Sequence, residues 1–547
     1  MQGEGTRCCS IVYILLQTTI AGAELLSTKA GLSRVVSALT GRAEMSGSRS
    51  DNDPIRVSVI LSGGQLRWRS VRFLLDGLVG PLAKGEVLVH RGATHRRARG
   101  LAGMLALERA LLRKGLARDA LNASALPEAA GQIAPCDVIV DLRPGPAPAD
   151  LCARARFGVW QFSCHDDRSI AAAMARGASA VTCEIYRQTA DDPVRRVMCQ
   201  TLVQGKHAIA PTQAFASEKT VQLALHMLRR LAMSRVLPPA TGIAAFGDAP
   251  AVRDLARYGL RMFRQAVSRL GRRLLPGKGR AAPFGLRTGK GDLPDLDPGP
   301  GTDLPQPEDV FRADPFLFEN DGEVFCFFEE FPFETGRGKI AVARLHEGGA
   351  EPLGDALVTD YHLSFPFVFR HEGEIFLMPE TLQADRLEIW RCTEFPLKWE
   401  RHATAFEGQG MADPVLFQSG DAWWLFANTS HDSFGDFSSE LSLFRVDGPD
   451  LGKIVPHPLN PVVVGSDVAR GGGRVFERDG RLYRFSQDNS GDIYGYGLNL
   501  MNITELSESG YEERRIAHFT PDRIPGALGC HHADAVAGWF VVDVRWP

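Results

Sequence analysis

Paired cysteines are the first thing this chain lacks. Its ten cysteines lie scattered at positions 8, 9, 136, 152, 164, 183, 199, 326, 392 and 530, and none form a Cys-x-x-Cys pair. That spacing argues against a disulfide framework and against a zinc site. The run Cys530-His531-His532 reads as loop residues, because adjacent side chains rarely aim at one ion, and no metal site is expected. An excess of one charge is missing too: the formal net charge is −3, with no footprint for a polyanion, so nucleic acid is not an expected partner. Long apolar runs are also absent. The stretch 8–26 is interrupted by Gln17 and Glu24, has only Arg7 before it, and is about half as long as a bilayer needs. Residues 1–53 therefore read as a disordered leader, and a cytoplasmic chain is expected.

At 547 residues the chain is too long for a single core, so two or three domains are expected. The last 240 or so residues repeat one pattern, an apolar strand, a tight turn and an aromatic-rich strand. The copies begin at Asp314-Pro-Phe-Leu-Phe, Phe365-Pro-Phe-Val-Phe, Asp413-Pro-Val-Leu-Phe, Gly473-Arg-Val-Phe and, faintly, Ala533-Asp-Ala-Val. Their turn positions 322, 373, 421, 480 and 538 are spaced by 51, 48, 59 and 58 residues, a period suited to one four-stranded sheet per copy. Five such sheets about an axis make a five-bladed β-propeller over 308–547.

The first half reads differently. Strands at Arg56 to Leu61, Glu86 to His90 and Asp137 to Leu142 alternate with helical stretches, one opened by Ser62-Gly63-Gly64 and carrying Val71, Leu74, Leu75 and Leu78, the other from Leu101 to Leu116. Strand, glycine turn and helix in alternation predict a doubly wound α/β domain over 54–215. The segments Gly158-Val-Trp-Gln-Phe-Ser-Cys-His-Asp-Asp-Arg168, Gly177-Ala-Ser-Ala-Val-Thr-Cys-Glu184 and Leu202-Val-Gln-Gly205 resemble the N-terminal domain of the formyltransferase family. That family moves a formyl group from 10-formyltetrahydrofolate to an amine with an Asn-x-His pair and a later Asp. The resemblance places Gln161 and Ser163 at the Asn and His and Gln204 near the Asp, which implies a degenerate site, because Ser163 is no base near neutral pH and Gln204 carries no charge. His165 and Asp166 stand as possible substitutes, provided the strand has not turned before them.

Residues 216–307 read as a helical segment and linker. A short helix around Ser217 to Ala232 closes the first domain, and Ala251 to Leu275 forms a basic amphipathic helix. Two uses fit that helix, packing one domain on the other with its arginines solvated, or peripheral contact with an anionic membrane surface through 251–275. Pro276 to Pro307, rich in Gly, Pro and Asp, reads as a linker.

Inner strands of a propeller line its axis, so Asp314 and Asp413 at blade starts, and Glu329, Glu330, Glu380, Asn428, Gln487 and Asp488 at second-strand ends, are candidates for one polar mouth. The Asp-Pro openings and period resemble the arabinanase, invertase and levansucrase class of five-bladed propellers. The resemblance implies catalytic roles for Asp314 and Asp413. Near the position of that class's blade-four acid stands Gly471, in Arg470-Gly471-Gly472-Gly473, which leaves Glu380 as the candidate proton donor. Glu330, Asn428 and Asp488 complete the candidate substrate-binding set.

Six further motifs occur in order: Ala313-Asp-Pro-Phe-Leu-Phe, Tyr361-His-Leu-Ser-Phe-Pro-Phe-Val-Phe, Met378-Pro-Glu-Thr381, Trp423-Trp-Leu-Phe-Ala-Asn428, His457-Pro-Leu-Asn-Pro461 and Arg481-Leu-Tyr. Together they resemble the N-terminal propeller of plant glucosamine inositolphosphorylceramide transferases. The expected function is a carbohydrate-directed protein whose propeller binds, and processes, a glycan or glycolipid. Two alternatives stay open: an N-formyltransferase acting on an amino sugar with the formyl-folate as cofactor, and a non-catalytic scaffold.

Overall fold

The computed structural model describes residues 53–274 and 284–547 apart from 63–65, 68–76, 79–81, 91–98, 113–119, 122–132, 144, 166, 241, 245–249 and 492. The leader 1–52, most of the helix read through Val71 to Leu75, and Asp166 lie outside the described residues. The chain forms two compact units, one from residues up to 95, 120–161 and 188–194, the other from 96–119, 162–187 and 195–547.

The first unit holds parallel strands. Ile55–Ser62 pairs on one side with Ala83–His90 and on the other with Val138–Asp141, which in turn pairs with Val159–Phe162. The last two strands have every residue buried. Burial on both faces along the whole strand is what a parallel sheet covered on both sides shows, and Asp141 and Gln161 are the polar members.

The second unit carries the propeller. Four blades are consecutive antiparallel meanders that begin at Val310, Ser364, Ala412 and Gly471. The fifth is assembled from two distant pieces: Ala533–Val536 and Trp539–Arg545 form its inner pair, and Phe284–Lys290 and Thr302–Asp303 supply its outer strands. The segment read as a linker is therefore partly blade. Gly285, Gly289, Gly291, Pro294 and Pro298 mask the strand pattern there, and Gly289 is needed because a Cβ would stand 2.6 Å from the buried Phe540 ring. Four hairpin turns place two successive residues at positive φ (Asp321-Gly322, Glu372-Gly373, Asp479-Gly480, Ala537-Gly538), the geometry that matches the twist of the flanking strands.

A boundary at 215 is crossed by a single helix, Ile209–Ser234, that is buried around most of its circumference. Polar residues on it are buried because they have partners on blade three. Lys219, with no exposed surface, lies 2.6 Å from Glu440 and 2.8 Å from Asp432, and His226 Nδ1 is 3.1 Å from the carbonyls of Leu459 and Pro461. Thr201 adds a hydrogen bond to the Val464 carbonyl at 2.6 Å.

Removing one member of such a buried ionic group strands the others. Lys219→Met is expected to lower the unfolding free energy by about 3–5 kcal/mol in denaturant titrations, and Lys219→Arg by distinctly less.

Candidate functional site

The site is built from a defect repeated in three blades. In blade one the pairing slips between Ala313 and Phe316, in blade two between Ser364 and Phe367, and in blade three between Ala412 and Val415. Each slip inserts one extra residue into the inner strand, a β-bulge. The residues that open these bulges, Asp314, Phe365 and Asp413, sit at φ 51°, 48° and 49°, in the left-handed region that side chains rarely occupy. Bulges re-aim side chains, and strained backbone at repeated positions points to a use.

Second strands supply the opposing wall. Glu329 pairs with Ala313, Glu380 with Ser364 and Asn428 with Ala412, and Asp543 donates its N–H to the His532 carbonyl in the equivalent place of blade five. A rule links successive blades: the polar side chain ending one second strand accepts the backbone N–H that opens the next inner strand. Asp543 accepts from Asp314 (3.2 Å), Glu380 from Asp413 (3.1 Å) and Asn428 from Gly471 (2.8 Å). Glu329 breaks the rule. Its Oε1 is buried without a hydrogen-bond partner, and His362 Nε2 is 3.5 Å away.

Two subclusters result. In one, Asp543 accepts the N–H groups of His531 and His532 at 2.9 Å each and pairs with His531 Nδ1 at 2.6 Å, while His531 Nε2 lies 3.6 Å from Asp314 Oδ1. In the other, Arg470 Nε donates to Asp413 Oδ2 at 2.8 Å and its Nη2 lies 3.4 Å from Glu380, with the guanidinium 5.4 Å from the Tyr494 ring centre.

Burial dominates the electrostatics. It pushes Glu380 up to about 8, helped by the neighbouring Asp413 and opposed by Arg470. Burial likewise raises Asp314 to about 7 against the pull of His531, and lifts Glu329 well above the carboxylate range with Asp314 and Glu380 adding to it. Burial would raise Asp543 too, but His531 and its hydrogen bonds prevail and hold it low. Desolvation opposes the charge on His531, and Asp543 overcomes it and raises the imidazole.

Of the residues singled out from sequence, Asp314, Asp413 and Glu380 are brought together. Glu330 faces the other side of its strand, where it pairs with Arg312 at 2.8 Å and Lys339 at 3.4 Å. Asn428 is fully buried as the clip to blade four, and its amide also donates to Glu440 and Ala469 carbonyls. Asp488 is taken up by Ser490 and by His518 at 3.1 Å. Gln161 donates to the Gly145 carbonyl, Ser163 Oγ accepts the Glu184 N–H, and Gln204 donates to the Gly491 carbonyl. The strand carrying Gln161 ends at Phe162, and Ser163–His165 is a turn of 3-10 helix, so residue 165 does not continue the strand face of 163.

Arg470, His531 and Asp543 were not among the residues chosen from sequence. Asp543 carried a readable signal, since it ends the second strand of the faint fifth copy. From sequence alone His531 reads as a loop residue. The structure separates it from its neighbours: Cys530 packs in a hydrophobic cluster, and His532 lies between the rings of Phe316 and Phe365. Among the described residues, Asp314, His531 and Asp543 are the group whose donor atoms all fall within 4.8 Å, a set able to hold a small divalent cation.

Fold and site together define a five-bladed propeller with buried carboxyl groups from four blades gathered toward its axis. Residues 302–524 match the family model described as glucosamine inositolphosphorylceramide transferase 1, N-terminal. Over 245 residues the chain is 36% identical to glucosamine inositolphosphorylceramide transferase 1 of Oryza sativa subsp. japonica, covering 42% of this chain and 32% of the rice protein. The Arabidopsis thaliana protein of the same name is 38% identical over 208 residues, 37% of this chain and 27% of its own length. The chain thus spans about a third or less of the curated relatives it matches. Among solved structures, a family 117 glycoside hydrolase of Zobellia galactanivorans superposes with a TM-score of 0.32 at 10% identity, over 48% of this chain and 90% of that one.

A carboxyl whose pKa is raised by folding binds its proton more tightly folded than unfolded. Its contribution to stability is lost as pH climbs from the ordinary value of 4.5 through about 8 for Glu380. Glu380→Gln removes that loss, so the variant is expected to gain on the wild type, by on the order of a few kcal/mol, between about pH 5 and pH 8.5 in denaturant midpoints.

Proposed function

We propose that the propeller is a carbohydrate-directed module that binds a glycan or glycolipid at its axial mouth and acts on a glycosidic linkage there. The observation that carries this reading is the convergence of Asp314, Glu329, Glu380 and Asp413 from separate blades, two of them aimed by strained bulges. Sugar hydroxyls are donors as well as acceptors, and a wall of carboxyl groups in mixed protonation states can serve both. The similarity of residues 302–524 to proteins named as transferases to inositolphosphorylceramide supports a saccharide-bearing ligand, a glycolipid included.

Glycosidic chemistry needs one carboxyl that holds a proton and one that does not. Burial favours the protonated form of Glu380, pushed up to about 8, and of Glu329. Glu380 is engaged by the Asp413 N–H and Arg470, so Glu329, with one oxygen unengaged, is the proton donor in this reading. Asp413, ion-paired to Arg470, stays available as the charged partner, and Asp314 takes the role of base, its proton exchanging through His531.

The formyltransferase-like reading of 54–215 fits a domain that has lost formyl transfer. Gln161, Ser163 and Gln204 each hold a backbone group, and none of the three side chains is a base. In this reading no formyl-folate cofactor is required.

Thermal shifts of the full chain against oligosaccharides, nucleotide sugars and a stable formyl-folate analogue test the assignment. A saccharide at about 100 times its Kd is expected to stabilise the protein by about 2.7 kcal/mol. Asp314→Asn is expected to abolish that shift while its own Tm stays within a few degrees of wild type. An undiminished saccharide response in Asp314→Asn sinks the assignment, and a response to the folate alone favours formyl transfer.

A further inference from the structure

The helix Val252–Leu274 is docked the wrong way round for a helix that serves only to pack domains. The arc it turns inward is largely polar. Asp254 is buried and approaches Arg176 at 3.7 Å, the Tyr258 hydroxyl is bonded to Glu108, and Arg261 lies over the Tyr258 ring and donates to the Met174 carbonyl. The arc it turns outward is apolar. Val252 is 85% exposed, Leu260 52%, Phe263 66% and Val267 52%, and Ala256 is exposed between them.

These five residues follow one another at steps of four, four, three and four, which at 100° per residue confines them to an arc of roughly 80°. Beside that arc, along one edge, run Arg253, Arg257 and Arg264, all exposed. The acid nearest them, Asp254, is buried between Arg176 at 3.7 Å and Arg253 at 3.8 Å, and Arg257 and Arg264 lie farther along the edge. A continuous apolar stripe edged by exposed guanidinium groups on the outside of a folded unit is unusual, since soluble surfaces scatter their large apolar side chains.

We propose that this stripe is a docking surface for an anionic lipid bilayer. Phe263, Leu260, Val267 and Val252 would enter the acyl boundary, and Arg253, Arg257 and Arg264 would lie level with the phosphate and carboxylate groups of the lipid heads. Charge complementarity selects this occupant, because a protein partner covering the apolar stripe alone would leave the arginine edge without use. No helix among the described residues is long and apolar enough to cross a membrane, so the contact is peripheral. The surface is distinct from the axial carboxyl cluster and does not depend on the sugar reading.

Co-sedimentation of the full-length chain with phosphatidylcholine vesicles, with and without phosphatidylserine, tests the proposal. Partitioning is expected to be at least about tenfold stronger on the anionic vesicles and to fall as salt is raised. Each of Arg253→Gln, Arg257→Gln and Arg264→Gln is expected to weaken it about fivefold, and the double variant Phe263→Ser/Val267→Ser about tenfold or more, with unchanged circular dichroism since all five side chains are exposed. Asp314→Asn is expected to bind vesicles as the wild type does, which separates this surface from the mouth. Equal partitioning of the wild type and the Phe263→Ser/Val267→Ser variant overturns the proposal. So does a concentration-dependent dimer that this variant abolishes, because the stripe is then a subunit interface.

Discussion

Of five carboxyl groups at the propeller axis, four, Asp314, Glu380, Asp413 and Asp543, share two cationic partners, Arg470 and His531, and the fifth, Glu329, has neither. Water is largely shut out, so a carboxylate there must be paired or must keep its proton. The structure uses both solutions. Asp543 is held toward the ionised form by His531 and two backbone N–H groups, and Asp413 is paired with Arg470, while Glu380, Glu329 and Asp314 are pushed toward the neutral form. The blade seams are stitched by the same side chains, so the arrangement that sets protonation also closes the ring.

The two subclusters divide the work. The blade-five pair His531 and Asp543 locks Asp314 from behind, whereas Arg470 holds Asp413 and Glu380 side by side. Glu329 belongs to neither, and its Oε1 is buried without a hydrogen-bond partner. The helix Ile209–Ser234 grips the loop that follows the second strand of blade three, through Lys219 to Asp432 and Glu218 to Ser433. Gln204 reaches the loop that carries Tyr494. Both loops lie at the end of the propeller where the second strands finish, so the helical layer braces the mouth rather than the opposite face.

Much of the propeller was legible in sequence because its repeats are short-range: aspartate-proline openings, glycine turns and aromatic alternation all fall within one hairpin. Blade five was only half legible. Its outer strands come from some 240 residues upstream, and no local period reports a pairing over that distance. The site followed the same pattern. Asp314 and Asp413 were visible as repeated strand openings, but Glu329 and Glu330 are neighbours of like chemistry, and only the register decides that one faces the axis and the other pairs with Arg312. Arg470 precedes its strand within a glycine run and acts by reaching across to blades two and three, which nothing in its own segment announces. The outward stripe of the helix Val252–Leu274 was visible as periodicity, but which face the protein covers is decided by Asp254, Tyr258 and Arg261, and only packing shows that.

The central claim is that the axial mouth keeps carboxyl groups protonated near neutral pH. Infrared difference spectra recorded while the full chain is titrated from about pH 5 to about pH 9 report it directly, since a protonated carboxyl absorbs apart from a carboxylate. The account predicts a protonated-carboxyl band that persists at neutral pH, weakens as pH rises through the range of Asp314 and Glu380, and is diminished in the Asp314→Asn and Glu380→Gln variants. A spectrum with no protonated carboxyl remaining above about pH 6 would contradict it.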